Sequence, residues 1–398
     1  MKQNILLILI GIWAMCLNAA GKQVKIYDVV VAADGSGDYM SVQAAIDAVP
    51  DNNKRQWLIL VKAGTYREHV LIPAGKNHIS IVGEGADKVT ITDNQVSGGP
   101  QAVPVGKGAT VVVHANDITF EGISFVNSHG VEAEAGPQAL ALYAKGDRIA
   151  LNRCAIKSYQ DTYRTSNMDN GRNYVSRSLI LGAVDFIYGS GNAWIEKCMI
   201  QINRKSGGWI VAPKHSPQTR WGYVFNNCTL TAAGVPSETS ILLGRPWHGE
   251  PKTLFMNTRS EITIPAEGWC PHMGGLPSMF AEYNTMDAEG NPIDLSKRID
   301  RYWKMNEQGD TLWSTAKKVL TNEEVAKYTI EAVMGGDDNW QPEQLFAPSD
   351  EPIGYAVYKD NRLVDVVRRV SAKYQKDVYQ VKAINKFGCF HEQTDGEY

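Results

Sequence analysis

The chain has 398 residues, 43% hydrophobic and 21% charged, with a formal net charge of −3. That composition excludes intrinsic disorder and allows a large core, while the lack of any long basic stretch argues against nucleic acid as a partner. The length fits two or three domains, or one elongated repeat architecture.

The first twenty residues, MKQNILLILIGIWAMCLNAA, run from Lys2 through an apolar stretch to a small-residue end. This is the order of a secretory signal and is too short for a good membrane span. Residues 1–20 are therefore read as an export signal cut near Ala19 or Ala20, giving a secreted or periplasmic protein without stable membrane insertion. Lipid attachment at Cys16 is the alternative, although Met15 is a poor fit for such processing. Beyond this segment lie Cys154, Cys198, Cys228, Cys270 and Cys389. An odd number without C-x-x-C spacing speaks against a disulfide framework or a zinc site and for buried thiols.

Next, DGSGDY at 34–39 reads as a tight turn, followed by SVQAAIDAVP, an amphipathic helix from Ser41 to Pro50. Such a helix can cap the open end of a stack of strands. That stack is expected to start near Leu58 to Val61 and Ile79 to Val82. Five segments then share one outline, polar-polar-small-x-apolar: EGISF, NRCAI, SRSLI, EKCMI and NNCTL. Taking Gly122, Cys154, Ser178, Cys198 and Cys228 as the shared small position gives separations of 32, 24, 20 and 30 residues. Short strands recurring at such intervals, without 3.6-residue periodicity, point to a parallel β-helix with these small residues stacked inside.

Further on, LTNEEVAKYTIEAVMGG carries Thr321 and Glu324 as a capping box and reads as one helix ended by Gly335 and Gly336. After Pro348, GYAVYKDNRLV and VYQVKAINKFG alternate apolar and polar residues. Residues 347–398 resemble the later strands of a fibronectin type III sandwich, about half of such a module, and are read as an accessory β tail. The preceding 21–346 would form the catalytic unit.

The chemistry begins with a carboxylate in an unexpected place. AVDFIYGSG at 183–191 sets Asp185 inside an apolar, strand-like run. SYQDTYR at 158–164 places Asp161 after the NRCAI strand, as Asp185 follows SRSLI. The two are 24 residues apart, the same as Cys154 and Ser178. Equal offsets stack them on adjacent coils, about 4.8 Å apart along the axis. Neighbouring carboxylates resist ionising together, so one tends to keep its proton and the pair supplies an acid and a nucleophile or base. Simple alternation, with Val184 and Phe186 inward, would turn Asp185 outward.

Six motifs in order, DGSGDYMSVQAAIDAVP, GTYRE, PQALAL, YQDTY, GAVDFIYG and GRPW, make the region from Val31 to Gln344 resemble the pectin methylesterases. The resemblance implies a right-handed parallel β-helix and hydrolysis of pectin methyl esters, with no cofactor and no metal. It implies Asp185 as nucleophile, Asp161 as acid/base, Gln138 and Gln160 as oxyanion donors, and Arg245 as the partner of the nucleophile. Trp247 would line the sugar cleft, with Tyr188, Tyr163 and Trp269 as further sugar-binding aromatics. His129, His215 and His248 lie near motif loops and are read as structural or surface residues. His272 stands where many members have a second aromatic after GW, which affects one side of the cleft. The partner implied is methyl-esterified homogalacturonan, met by a monomer. The alternatives are a family esterase on another substrate, a polygalacturonase needing carboxylates about 6.5–9.5 Å apart, or a non-catalytic carbohydrate-binding β-helix.

Overall fold

The computed structural model describes residues 25–100, 103–204, 207–234 and 240–392. The predicted export signal, with Cys16, lies outside them. Among the described residues, parallel strands form three long sheets of eleven, nine and eight strands, each coil contributing in turn to each sheet. This is the β-helix expected from the repeats. It starts one strand earlier than expected, at Val29–Val31, which pairs with Trp57–Val61.

Inward positions of the eleven-stranded sheet form one column: Ile59, Ile81, Phe120, Leu151, Val175, Ile195, Phe225 and Phe255. Parallel in-register pairing places like above like, and each such side chain contributes about 1.5–3 kcal/mol by leaving water. Cys154, Cys198 and Cys228 join this core, and the five described Cys are unbridged. The shared small position needs one correction. Asn152 pairs with Glu121, so Ile123 is level with Cys154, while Gly122 takes the left-handed corner (φ 63) that Arg153 takes one coil on (φ 50).

The helix Val42–Asp47 covers the first coil. Ser41 caps it, the Glu68 carboxylate accepts from Val42 N at 2.7 Å and Gln43 N at 2.9 Å, and Val42, Ala45 and Ile46 enter the core. Near the other end the capping box of Thr321 and Glu324 forms, but the single predicted helix is two, Asn322–Val325 and Ile330–Met334. Thr329 accepts a bond from Ala332 N and starts the second, so the turn between them breaks the expected stripe.

Those helices and the tail cover the outer face of the eleven-stranded sheet. The tail forms a single antiparallel sheet of four strands, Gly354–Lys359, Arg362–Val367, Gln380–Ile384 and Phe390–Glu392. Ala356, Tyr358, Ile384 and Phe390 pack in one cluster with Leu58, Leu60 and Val82 of the first coils. The second layer of this packing is thus the β-helix itself, not a second sheet of the tail. Buried on both sides, the eleven-stranded sheet reads as nearly continuous apolar runs. The outer face of the nine-stranded sheet is left uncovered by these elements, and the conspicuous polar side chains collect there.

Candidate active site

Five successive coils bring together residues far apart in sequence. Gln138 precedes the strand Leu142–Ala144, and Gln160 and Asp161 precede Tyr163–Arg164. Asp185 is in Val184–Gly189, Trp209 opens Trp209–His215, and Arg245 follows Leu242–Gly244. Backbone bonds fix their register: Ala139 N to Gln160 O at 3.1 Å, Asp161 N to Val184 O at 3.0 Å, and Arg245 N to Val211 O at 3.0 Å. The 24-residue offset holds, since Tyr163 pairs with Ile187 and Arg164 with Tyr188.

Both carboxylates sit on left-handed backbone, Asp161 at φ 62 and Asp185 at φ 51. Asp tolerates this region better than most residues, and such positions cluster where a side chain must be re-aimed. At Asp185 the register shifts between Val184 and Ile187, a bulge. The expected alternation is accordingly replaced. Val184 packs with Tyr159, Ala183 and Trp209, whereas Phe186 and Ile187 both enter the core.

Asp185 is clamped by Arg245, whose Nε donates to Oδ1 at 2.8 Å while Nη2 donates to Oδ2. The guanidinium lies 3.8 Å from the centre of the Trp209 ring, which shields it on one face. Burial pushes the Asp185 carboxyl above its ordinary value, and Arg245 pulls it back. Asp161 is pushed up to about 8, first by burial and then by the charge of Asp185, against the weaker pull of the Tyr188 hydroxyl and of Arg164 and Arg245. The clamp on one carboxylate alone separates the two roles: Asp185 ionises first and Asp161 keeps the proton.

The side-chain amides of Gln138 and Gln160 make no hydrogen bond to the described residues. Their oxygens fit against glycines: a Cβ on Gly98 would lie 1.8 Å from Gln138 Oε1, and one on Gly136 2.8 Å from Gln160 Oε1. The amide nitrogens are the free ends.

Among the aromatics, half-buried Trp247 meets the edge of Tyr188 with ring centres 5.5 Å apart. Tyr188 is itself buried, its hydroxyl facing Asp161, so it supports Trp247 from beneath. Tyr163 and Trp269 do not reach this face. Tyr163 has no exposed surface and stacks in the core between Leu142 and Ile187. Trp269 is equally buried, stacked on Phe280 with centres 4.4 Å apart. His215 is buried, accepts from Lys252 N at 3.0 Å, and is pushed down to about 3 by burial, which makes it structural. Among the described residues no cluster of His, Cys, Asp or Glu suits a metal.

Two residues escaped the sequence reading. Trp209 lies 24 residues after Asp185, so extending the interval by one coil would have found it. Arg164 was inside the quoted motif; its guanidinium sits between the rings of Tyr143 (4.6 Å) and Tyr188 (5.5 Å).

A clamped aspartate, a second aspartate one coil away and two unpaired amides are the parts an ester hydrolase of the covalent kind needs: a nucleophile, a proton donor and oxyanion donors. Comparison with known proteins agrees. The family model Pectinesterase matches residues 28–337. The chain is 31% identical over 325 residues to a pectinesterase of Petunia integrifolia, covering 78% of this chain and 80% of that one. It is 28% identical over 337 residues to the putative pectinesterase/pectinesterase inhibitor 28 of Arabidopsis thaliana, covering 82% of this chain but 42% of that longer one. Its structure is similar to that of the pectin methylesterase from carrot, with a TM-score of 0.69, 28% identity, and 81% of this chain and 97% of that one covered. The chain belongs to the pectinesterase family of carboxylic ester hydrolases.

Proposed function

We propose that this protein demethylesterifies pectin by attack of the Asp185 carboxylate on the methyl-ester carbonyl. What carries the reading is the asymmetry of the two aspartates, one gripped by Arg245 and one left to hold a proton. Asp185 adds to the carbonyl carbon, and the oxyanion of the tetrahedral state accepts N–H bonds from Gln138 and Gln160. Collapse breaks the ester bond, and Asp161 protonates the departing methoxide, giving methanol and an acyl–aspartate anhydride. Asp161, now a carboxylate, takes a proton from water as the oxygen attacks the anhydride. A second tetrahedral state collapses to free the galacturonate carboxyl and restore Asp185. No metal is needed, since Arg245 and the amides answer every charge that develops. Trp247 stacks on a sugar ring beside the reacting ester.

The catalytic unit in this proposal is 21–346, with the tail as an accessory sheet that shields the first coils. A polymeric substrate is met outside the cell, which is the purpose of the signal read in 1–20, and one protomer holds the whole catalytic group.

The test is methanol and reducing-end release from highly methylated pectin by the wild type and by Asp185→Asn. The expected result is methanol without new reducing ends, lowered by about 10⁴-fold or more in the variant, as for removal of other covalent nucleophiles. New reducing ends would assign chain cleavage instead, and an active variant would remove Asp185 from the nucleophile's role.

A further inference from the structure

The tail takes no part in the proposed reaction, yet its packing on the first coils leaves a groove. Tyr27, Val30 and Leu60 of the β-helix form one side, and Val366, Val367 and the turn at 368–374 form the other. Its volume of about 810 Å³ is that of a ligand-binding cleft. The topology of the tail sets the turn there. The strand Gly354–Lys359 pairs on one side with Arg362–Val367 and on the other with Gln380–Ile384, so the connection between those two must cross over it.

The lining is basic in a chain whose formal net charge is −3. Lys25, Arg368, Arg369 and Lys373 line the groove, against the single carboxylate of Asp365. That carboxylate is already engaged: it accepts from the Tyr374 hydroxyl, and Lys373 Nζ lies 3.5 Å away. Lys25 donates to Asp38 at 2.5 Å beyond the groove's end. Arg369 is exposed and pairs with no carboxylate among the described residues. Tyr374 adds an aromatic wall, its ring centre 5.3 Å from that of Tyr379 and 4.5 Å from Lys373 Nζ.

An ammonium beside an aromatic face suits a sugar acid, whose ring stacks while its carboxylate reaches the cation. A flat anionic membrane does not enter a recess of this kind, whereas a single polymer chain does. The proposed reaction makes such a polymer, since each turnover converts a neutral ester into a carboxylate.

We propose that the groove between the tail and the first coils is a second polysaccharide site, which holds carboxylate-bearing stretches that the enzyme has already demethylated. It rests on the pectin reading above and goes beyond it. The tail packs on the eleven-stranded sheet and the catalytic group opens on the nine-stranded one, so the two sites share no residue. An enzyme held by its product keeps a high effective concentration of remaining esters near the cleft.

The test measures retention of the whole chain on immobilised polygalacturonate, the fully demethylated polymer. The wild type should be retained, and Trp247→Ala, which damages only the cleft, should be retained nearly as well. Arg369→Glu should weaken retention about ten-fold, Arg369→Lys should keep most of it, and high salt should abolish it. Arg369 is exposed on a turn, so its loss leaves the core intact. Methanol release by Arg369→Glu from methylated oligomers too short to span both sites should match the wild type. Undiminished retention of Arg369→Glu, or retention lost in Trp247→Ala, would return the binding to the cleft and overturn the groove. Binding to vesicles of anionic lipid that Arg369→Glu abolishes, without retention on the polymer, would overturn it in favour of a membrane surface. Absence of methanol from pectin would overturn the esterase reading instead, while retention, which needs no turnover, would still decide the groove.

Discussion

Two buried carboxylate–guanidinium pairs in this molecule look alike and do different things. Glu282 takes the inward position that Phe225 and Phe255 hold on the coils before it, at the end of the stack. Arg298 Nε donates to it at 2.6 Å, and Arg298 Nη1 donates to the carbonyls of Pro265 (2.9 Å) and Ala266 (3.1 Å). Their side chains are 1% and 2% exposed. In the Asp185–Arg245 pair the exposures are 11% and 22%, an aromatic ring covers the guanidinium, and a second carboxylate waits one coil away. Burial and pairing are common to both, so neither marks function. What distinguishes the Asp185 pair is an open side, a neighbour that competes for the same proton, and donors left free.

Conservative amides should pull the two pairs apart. Glu282→Gln leaves Arg298 buried without its counter-charge, and about 3–5 kcal/mol of stability is expected to go. The activity per folded molecule should stay. Asp185→Asn should do the reverse, abolishing methanol release while lowering the unfolding temperature less than Glu282→Gln does. Thermal unfolding and methanol release on both variants check this. Equal loss of stability in the two would mean that the Asp185 pair is also chiefly a structural one.

Asp161 offers the next largest effect, in two directions at once. With a native pKa of about 8 against an ordinary value of 3.8, the folded protein holds a proton that the unfolded chain has lost throughout that interval. Stability therefore falls as pH rises from about 4 to about 8, because the native state binds more protons than the unfolded one. Asp161→Asn removes this dependence. The variant should lose activity by about 10²–10⁴ yet gain stability relative to wild type, more at the alkaline end of the window than at the acid end. Denaturant midpoints at both ends measure it. In the wild type, methanol release should decline as pH rises through about 8, where Asp161 loses its proton. A variant no more stable than wild type at the alkaline end would show that the site carries no such cost.

The stack, its 24-residue offset and the pairing of Asp161 with Asp185 on adjacent coils were legible because parallel register repeats one spacing for every residue of a coil. Side-chain direction was not. Asp161 turns through left-handed backbone, and that turn sends Tyr163 inward although it sits two residues away in the same motif. The bulge at Asp185 breaks the alternation that VDFIY displays on paper. Trp269 follows Gly268 at φ 70 and folds between Phe255 and Phe280, a placement set by the end of the stack and invisible to motif position. The antiparallel hairpin of Arg301–Met305 with Thr311–Thr315 was readable in retrospect: RYWKM and TLWST flank NEQGD, where Asn306 accepts from Gln308 N and Asp310 N.

The smallest expected effect probes how the free donors are held. Arg298 is fixed by hydrogen bonds, whereas Gln138 is fixed by shape. Gly98 has no left-handed φ that would exclude a side chain, so only space forbids one. An alanine Cβ there would lie 1.8 Å from Gln138 Oε1 and 3.0 Å from Pro137 Cβ. The loop is tied to the same glutamine by Ser97 N donating to Gln138 O at 2.7 Å, so backing away is the harder response and turning the amide the easier one. A turned amide costs the fold little but misplaces an oxyanion donor, whose complete removal in Gln138→Ala should cost about 10²–10³ in kcat. Gly98→Ala is thus expected to lower kcat about ten-fold, part of that loss, with KM and the unfolding temperature little changed. The decisive comparison is the double variant. If Gly98 acts through Gln138, adding Gly98→Ala to Gln138→Ala should cost nothing further. Additive losses would mean that the glycine serves the loop's own conformation, and that shape does not hold the donor.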